Sequence, residues 1–178
     1  MRRHLLSFAI AIATAALAGP ASFAQTTATT PSPGQSPTAI YVQKAAASDQ
    51  FEIQSSTIAS QKSTSADVKT FAQMMVDDHT KSSEKIAAAA KADGAAQVPT
   101  TLDPAHNAQL QSLEKVSGPE FDRLYMYMQV KGHTDALQLH RTYSESGDDA
   151  KLKAVATEIV PVVSHHLDEA KRIAGALQ

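Results

Sequence analysis

Four long stretches of the chain repeat apolar or small residues at helical spacing, each between its own start and stop signals. That pattern restricts the fold to packed helices. From Thr38 to Lys62 the stripe is Tyr41, Ala45, Ser48, Glu52, Ser55 and Ala59, stepping by four and three residues in turn. Ser65 is a good N-cap for a second helix running to Asp93, with Gly94 as its stop and Val68, Phe71, Ala72, Met75, Ile86 and Ala89 on its stripe. A polar connection with Pro99 leads to a short third helix, capped by Asp103, with Pro104 in its first turn and Gly118 ending it. Ser117-Gly118-Pro119 opens a fourth helix to Ser146, with Gly147 after it and Phe121, Tyr125, Met128, Gly132, Leu139 and Tyr143 on its stripe. A fifth runs from Asp149 to Ala176, carrying Leu152, Val155, Ile159, Val162, Val163, Ala170, Ile173 and Leu177, and Pro161 is expected to kink it. No period-2 strand pattern of useful length occurs. The expected fold is all-α: a four-helix bundle over residues 38–178 with one extra short helix covering the crossover.

The N-terminus reads as a signal peptide. Arg2 and Arg3 precede an apolar run, Leu5 to Gly19, and Ser22-Phe23-Ala24 fits cleavage after Ala24. The apolar run is short for a membrane span, which needs about 20 residues. A retained anchor and a twin-arginine export signal are the alternatives. Gln25 to Pro37 is rich in Thr, Pro, Ser and Gly and reads as a flexible linker. The expected location is therefore periplasmic or secreted, with no transmembrane span in the mature form and outer-membrane association left open. Cys is absent, which excludes disulfides, thiolate metal sites and Cys nucleophiles. Removing residues 1–24 leaves 14 basic against 18 acidic residues and no basic patch, so nucleic acid is not an expected partner. No protein partner can be named.

Each long stripe is interrupted near its middle by an acid or a histidine: Glu52 in the first helix, Asp78 and His79 in the second, His133 in the fourth and His166 in the fifth. His79 lies about 40° around its helix from Met75, and His166 within about 20° of Ile159. Helices of similar length packed side by side bring their midpoints to one level. These five residues are thus expected to meet in one layer. A buried imidazole or carboxylate is costly unless paired or bound to a metal. Three imidazoles and two carboxylates suit Zn, Fe, Mn or Cu. The expected ligands are Glu52, His79, His133 and His166, with Asp78 as a fifth ligand or as the orienter of an imidazole. A metal-free buried hydrogen-bond network is the competing reading. Asp122 and His140 share the His133 face about 10 Å or more away along the axis, where structural roles are favoured. His165 is expected outside, His106 has no partner in the sequence pattern, and the methionines read as core filler rather than copper ligands.

The motifs Met75-Val76-Asp77-Asp78-His79-Thr80-Lys81, Phe121-Asp122-Arg123-Leu124-Tyr125 followed by His133, and Ile159-Val160-Pro161 leading to His166-Leu167 resemble those of the bacterial domain of unknown function 4142 family. The segment Ala45 to Ala59, with Glu52, is similar to that family's first motif. The resemblance covers Ala39 to Ala174 and implies an exported, ferritin-like four-helix bundle, with no activity attached. Di-iron bundle proteins use Glu-x-x-His pairs. Here no Glu precedes any His by three residues, so a single-metal centre is expected rather than a ferroxidase centre. Function in metal handling or stress defence is the leading expectation. A small metal-dependent oxidase or peroxide-consuming enzyme and a metal-free envelope interaction module are the others.

Overall fold

The computed structural model describes residues 35–178 except 93 and 95. The expected signal peptide and the linker up to residue 34 lie outside the described residues, as does the expected helix end at Asp93.

Local capping chemistry sets the helix ends. Helix α1 (Pro37–Lys62) starts behind Ser36, whose Oγ accepts from the Ala39 N–H, with Pro at the first turn where its missing donor costs nothing. In α2 (Ala66–Ala92) the Val68 N–H donates to Ser65 Oγ, and Gly94 beyond the end has φ +61°. Helix α3 (Pro104–Glu114) is capped by Asp103, which accepts from the N–H groups of Ala105 and His106. It ends before Gly118, contrary to expectation. Gly118, at φ +58°, opens α4 (Gly118–Ser146), where the Ser117-Gly118-Pro119 signal places its start. Asp149 caps α5 (Ala150–Ala176) by accepting from the Leu152 N–H. This helix runs unbroken through Pro161. The proline and Thr157, whose carbonyl it frees, are both exposed, so water can replace the lost bond.

The partners of each helix give the topology. Contacts join α1 to α2, α2 to α5, α5 to α4 and α4 to α1, a closed ring of four. Along α1 and α4 the pairs Thr38–Tyr143, Tyr41–His140 and Ser56–Tyr125 step in opposite directions, so these helices are antiparallel. The pairs Lys85–Glu158, Asp78–His166 and Asp67–Arg172 show the same for α2 and α5. The bundle therefore runs up, down, down, up, and the one long crossover between α2 and α4 contains α3. This is the connectivity of ferritin-like bundles. Helix α3 packs on α1 and α4, burying Leu110 and Leu113, while Lys62 Nζ donates to the Glu114 carbonyl. Among the described residues no helix is long and apolar enough to cross a membrane.

The core seams step by four and three residues without a break: Thr38, Val42, Ala45, Asp49, Glu52, Ser56 and Ala59 in α1, and Leu152, Ala156, Ile159, Val163, His166, Ala170 and Ile173 in α5 are all buried. The α1 stripe is thus turned slightly from the expected one. Ser48 is only half-buried, and Val162 in α5 is 40% exposed. The apolar core falls into two clusters. One surrounds Phe71, Phe121 and Tyr125, the other Tyr41, Leu152 and Ile159. Between them lies a polar layer of Asp49, Glu52, His79, Gln129, His133 and His166, each no more than 4% exposed.

Candidate metal centre

Each of three helices delivers one histidine to this layer from a seam position: His79 from α2, His133 from α4 and His166 from α5. Their ring centres form a nearly equilateral triangle with sides of 5.4, 5.5 and 5.4 Å. One ring nitrogen from each lies within 4.8 Å of the others, and the Nε2 atoms of His79 and His133 are 3.4 Å apart.

The other nitrogen of each ring is tied to an acceptor. Nδ1 of His79 donates to Asp49 Oδ1 at 2.7 Å, Nδ1 of His133 to the Gln129 carbonyl at 2.9 Å, and Nε2 of His166 to Asp78 Oδ2 at 3.2 Å. These acceptors assign the tautomers of the neutral rings. The lone pair then falls on the second nitrogen of each ring: Nε2 of His79, Nε2 of His133 and Nδ1 of His166. Nδ1 of His166 is buried without any hydrogen-bond partner.

The electrostatics follow from this packing. Burial, then the neighbouring imidazoles His79 and His166, hold His133 well below the ordinary histidine pKa. Burial and His79 push His166 down to about 4, against the opposing pull of Asp78. Burial also opposes charge on His79, but the Asp49 carboxylate bonded to it, with Glu52 and Asp78 nearby, raises its pKa above the ordinary value. Burial lifts Glu52 to about 7, offset in part by His79 and by the Gln129 amide that donates to its Oε2 at 2.6 Å.

Of the five expected ligands, His79, His133 and His166 converge. Glu52 and Asp78 do not join that cluster. Glu52 Oε1 sits 3.9 Å from Nδ1 of His133, the nitrogen already donating to Gln129, so the carboxylate faces the back of the ring. Asp78 lies behind His166, and its side chain is 31% exposed and paired with Lys81. Its contact with the layer is the hydrogen bond from Nε2 of His166. The expectation missed Asp49 and Gln129. Both had a spacing signal: Asp49 is four residues after Ala45 and three before Glu52, and Gln129 is one turn before His133.

The remaining candidates are structural. Tyr41 Oη bonds Nδ1 of His140 at 3.0 Å, and Asp122 Oδ2 accepts from Thr64. His106, expected without a partner, donates to Asp103 and packs against Phe51. His165 is exposed, and Met75, Met126 and Met128 lie in the apolar core.

The model of the family described as "Domain of unknown function (DUF4142)" matches residues 22–173. The chain belongs to this family. The DUF4142 match takes in α1, α2 and α4 whole, α5 as far as residue 173, and every residue of the polar layer. No curated protein and no solved structure matches the chain.

Proposed function

We propose that this DUF4142 protein is an exported, periplasmic bundle that holds one transition-metal ion on His79, His133 and His166, in the service of metal handling or stress defence. The carrying observation is the triangle of buried imidazoles, each left with a lone pair by the hydrogen bond at its other nitrogen. The point equidistant from the three ring centres, the mean side divided by the square root of three, is about 3.1 Å from each. A metal–imidazole bond of about 2.0–2.1 Å would place a ring centre roughly 3.2 Å from the ion. The N–H bonds to Asp49, Gln129 and Asp78 are the outer-shell contacts that orient ligating imidazoles and strengthen them as donors. A set of three nitrogens suits Zn, Cu or Fe. Mn, which prefers oxygen donors, fits least now that both carboxylates stand behind the rings. Export rests on the N-terminal sequence alone.

The test is metal uptake by the mature protein prepared without a His tag. One equivalent of Zn, Cu or Fe per chain is expected. Saturation at a hundred times Kd is worth about 2.7 kcal/mol, which raises Tm by roughly 5–10 °C for a domain of this size. His79→Ala and His133→Ala should abolish both effects. Unchanged metal content in those variants ends the proposal.

A second reading has an observation of its own. Because Asp49 favours charge on His79, a proton on His79 Nε2 can bridge to His133 Nε2 without a metal. That network leaves Nδ1 of His166 unpaired, whereas a metal engages all three lone pairs. No melting shift with any metal would favour the proton.

A further inference from the structure

Two buried polar atoms without a hydrogen-bond partner belong to residues that line one cleft: Nδ1 of His166 and Oγ of Ser82. The cleft, of about 120 Å³, opens between α2 and α5. Ile159, Val162 and Val163 form its apolar wall, and His79 and His166 stand at its buried end.

Ser82 is out of keeping with its position. It is one turn beyond His79 on the α2 seam, where Val68, Ala72, Met75 and Ile86 are apolar and buried. Other helical hydroxyls, such as Thr70, Thr80, Thr134 and Thr157, donate to the carbonyl four residues back, but Ser82 does not. Side chains on a helix lean toward its N-terminus, so this free hydroxyl leans toward His79. Lys81 and Lys85 at the rim are each paired, with Asp78 and Glu158, so these four groups put no net charge at the mouth. Three neutral imidazoles leave the charge of a bound ion uncompensated in its first shell, and three protein ligands leave a coordination position open.

Resting on the metal site proposed above, we infer that the open position faces the α2–α5 cleft and takes a small anion of two or three heavy atoms, the size of azide or hydroperoxide, with the Ser82 hydroxyl donating to it. The anion completes the ion's shell and satisfies the hydroxyl that the protein leaves unpaired.

The test uses the mature protein loaded with Co(II), titrated with azide and followed by visible absorption. A saturable change of the cobalt bands is expected. Ser82→Ala should weaken azide about tenfold, the worth of one hydrogen bond to a charged partner, with cobalt affinity unchanged. Val162→Trp, at the exposed mouth, should slow azide association with no change in Tm. Cobalt uptake with bands that azide leaves unaltered overturns the inference and leaves the metal reading standing. Equal azide affinity in Ser82→Ala, or equal association in Val162→Trp, overturns it too. A protein that takes up no cobalt sinks both.

Discussion

Asp49 and Asp78 hold the outer nitrogens of two histidines, and removing each in turn separates a dry support from a wet one. The Asp49–His79 bond is 2.7 Å long, with side-chain exposures of 3% and 5%. A charge-assisted hydrogen bond in such a place contributes about 1.5–3 kcal/mol. At about 1.4 kcal/mol per decade, Asp49→Ala should weaken metal binding roughly ten- to a hundredfold. In the metal-free protein the same change strands a buried N–H, which costs about 1–3 kcal/mol and lowers Tm. The Asp78–His166 bond is longer, at 3.2 Å, and Asp78 is 31% exposed and shared with Lys81 Nζ at 2.9 Å. Water can take its place, and exposed pairs contribute about 0–1 kcal/mol, so Asp78→Ala should weaken binding less than about fivefold. Competition with a chromogenic chelator at neutral pH gives both ratios, and circular dichroism of the metal-free variants confirms the fold. Equal losses in the two variants, or none in either, would refute the reasoning that burial of the outer-shell carboxylate sets its worth.

Two further outcomes are expected. Burial holds His140 near pKa 4 in the folded chain against 6.5 for the free side chain. Above pH 6.5 it is neutral in both states. Between about 6.5 and 4 only the unfolded chain takes the proton, so stability falls as pH falls, by roughly 3 kcal/mol. Urea denaturation at several pH values should show that slope flattened in His140→Gln, and a parallel profile would count against it. At Gly132 an added Cβ would stand 3.0 Å from Glu52 Oε1, whereas at Gly175 it would meet nothing within 4 Å. Gly175→Ala should therefore gain up to about 1 kcal/mol of helix propensity. Gly132→Val, which crowds the buried Glu52 carboxylate, should lose about 1–3 kcal/mol. Thermal melts of the pair in which Gly132→Val is the more stable would contradict this.

The helices were largely legible because their ends are written in short-range chemistry. Ser65, Asp103 and Asp149 cap the following turns with side-chain oxygens two or three residues away from the groups they satisfy. Gly118 marks the start of α4 as expected but not the end of α3, which stops at Glu114, because a positive-φ glycine suits either role. The polar layer was legible as a level in the bundle but not as a list of ligands. Asp49 and Glu52 occupy consecutive seam positions on α1, and the sequence pattern does not rank them. Their neighbours do: α2 brings His79 against Asp49, while α4 brings Gln129 against Glu52.

From the chain alone came the helical periodicity, the caps, the lack of thiol chemistry and the presence of one histidine near the middle of three long helices. These are local or compositional properties that survive any arrangement of the helices. Which nitrogens keep a lone pair, which carboxylate stands behind which ring, and that a serine hydroxyl is left free beside them were decided by packing. A turn of a few tens of degrees about a helix axis, or one rotamer, moves a side-chain tip by several ångströms. Only the neighbouring helices supply that constraint.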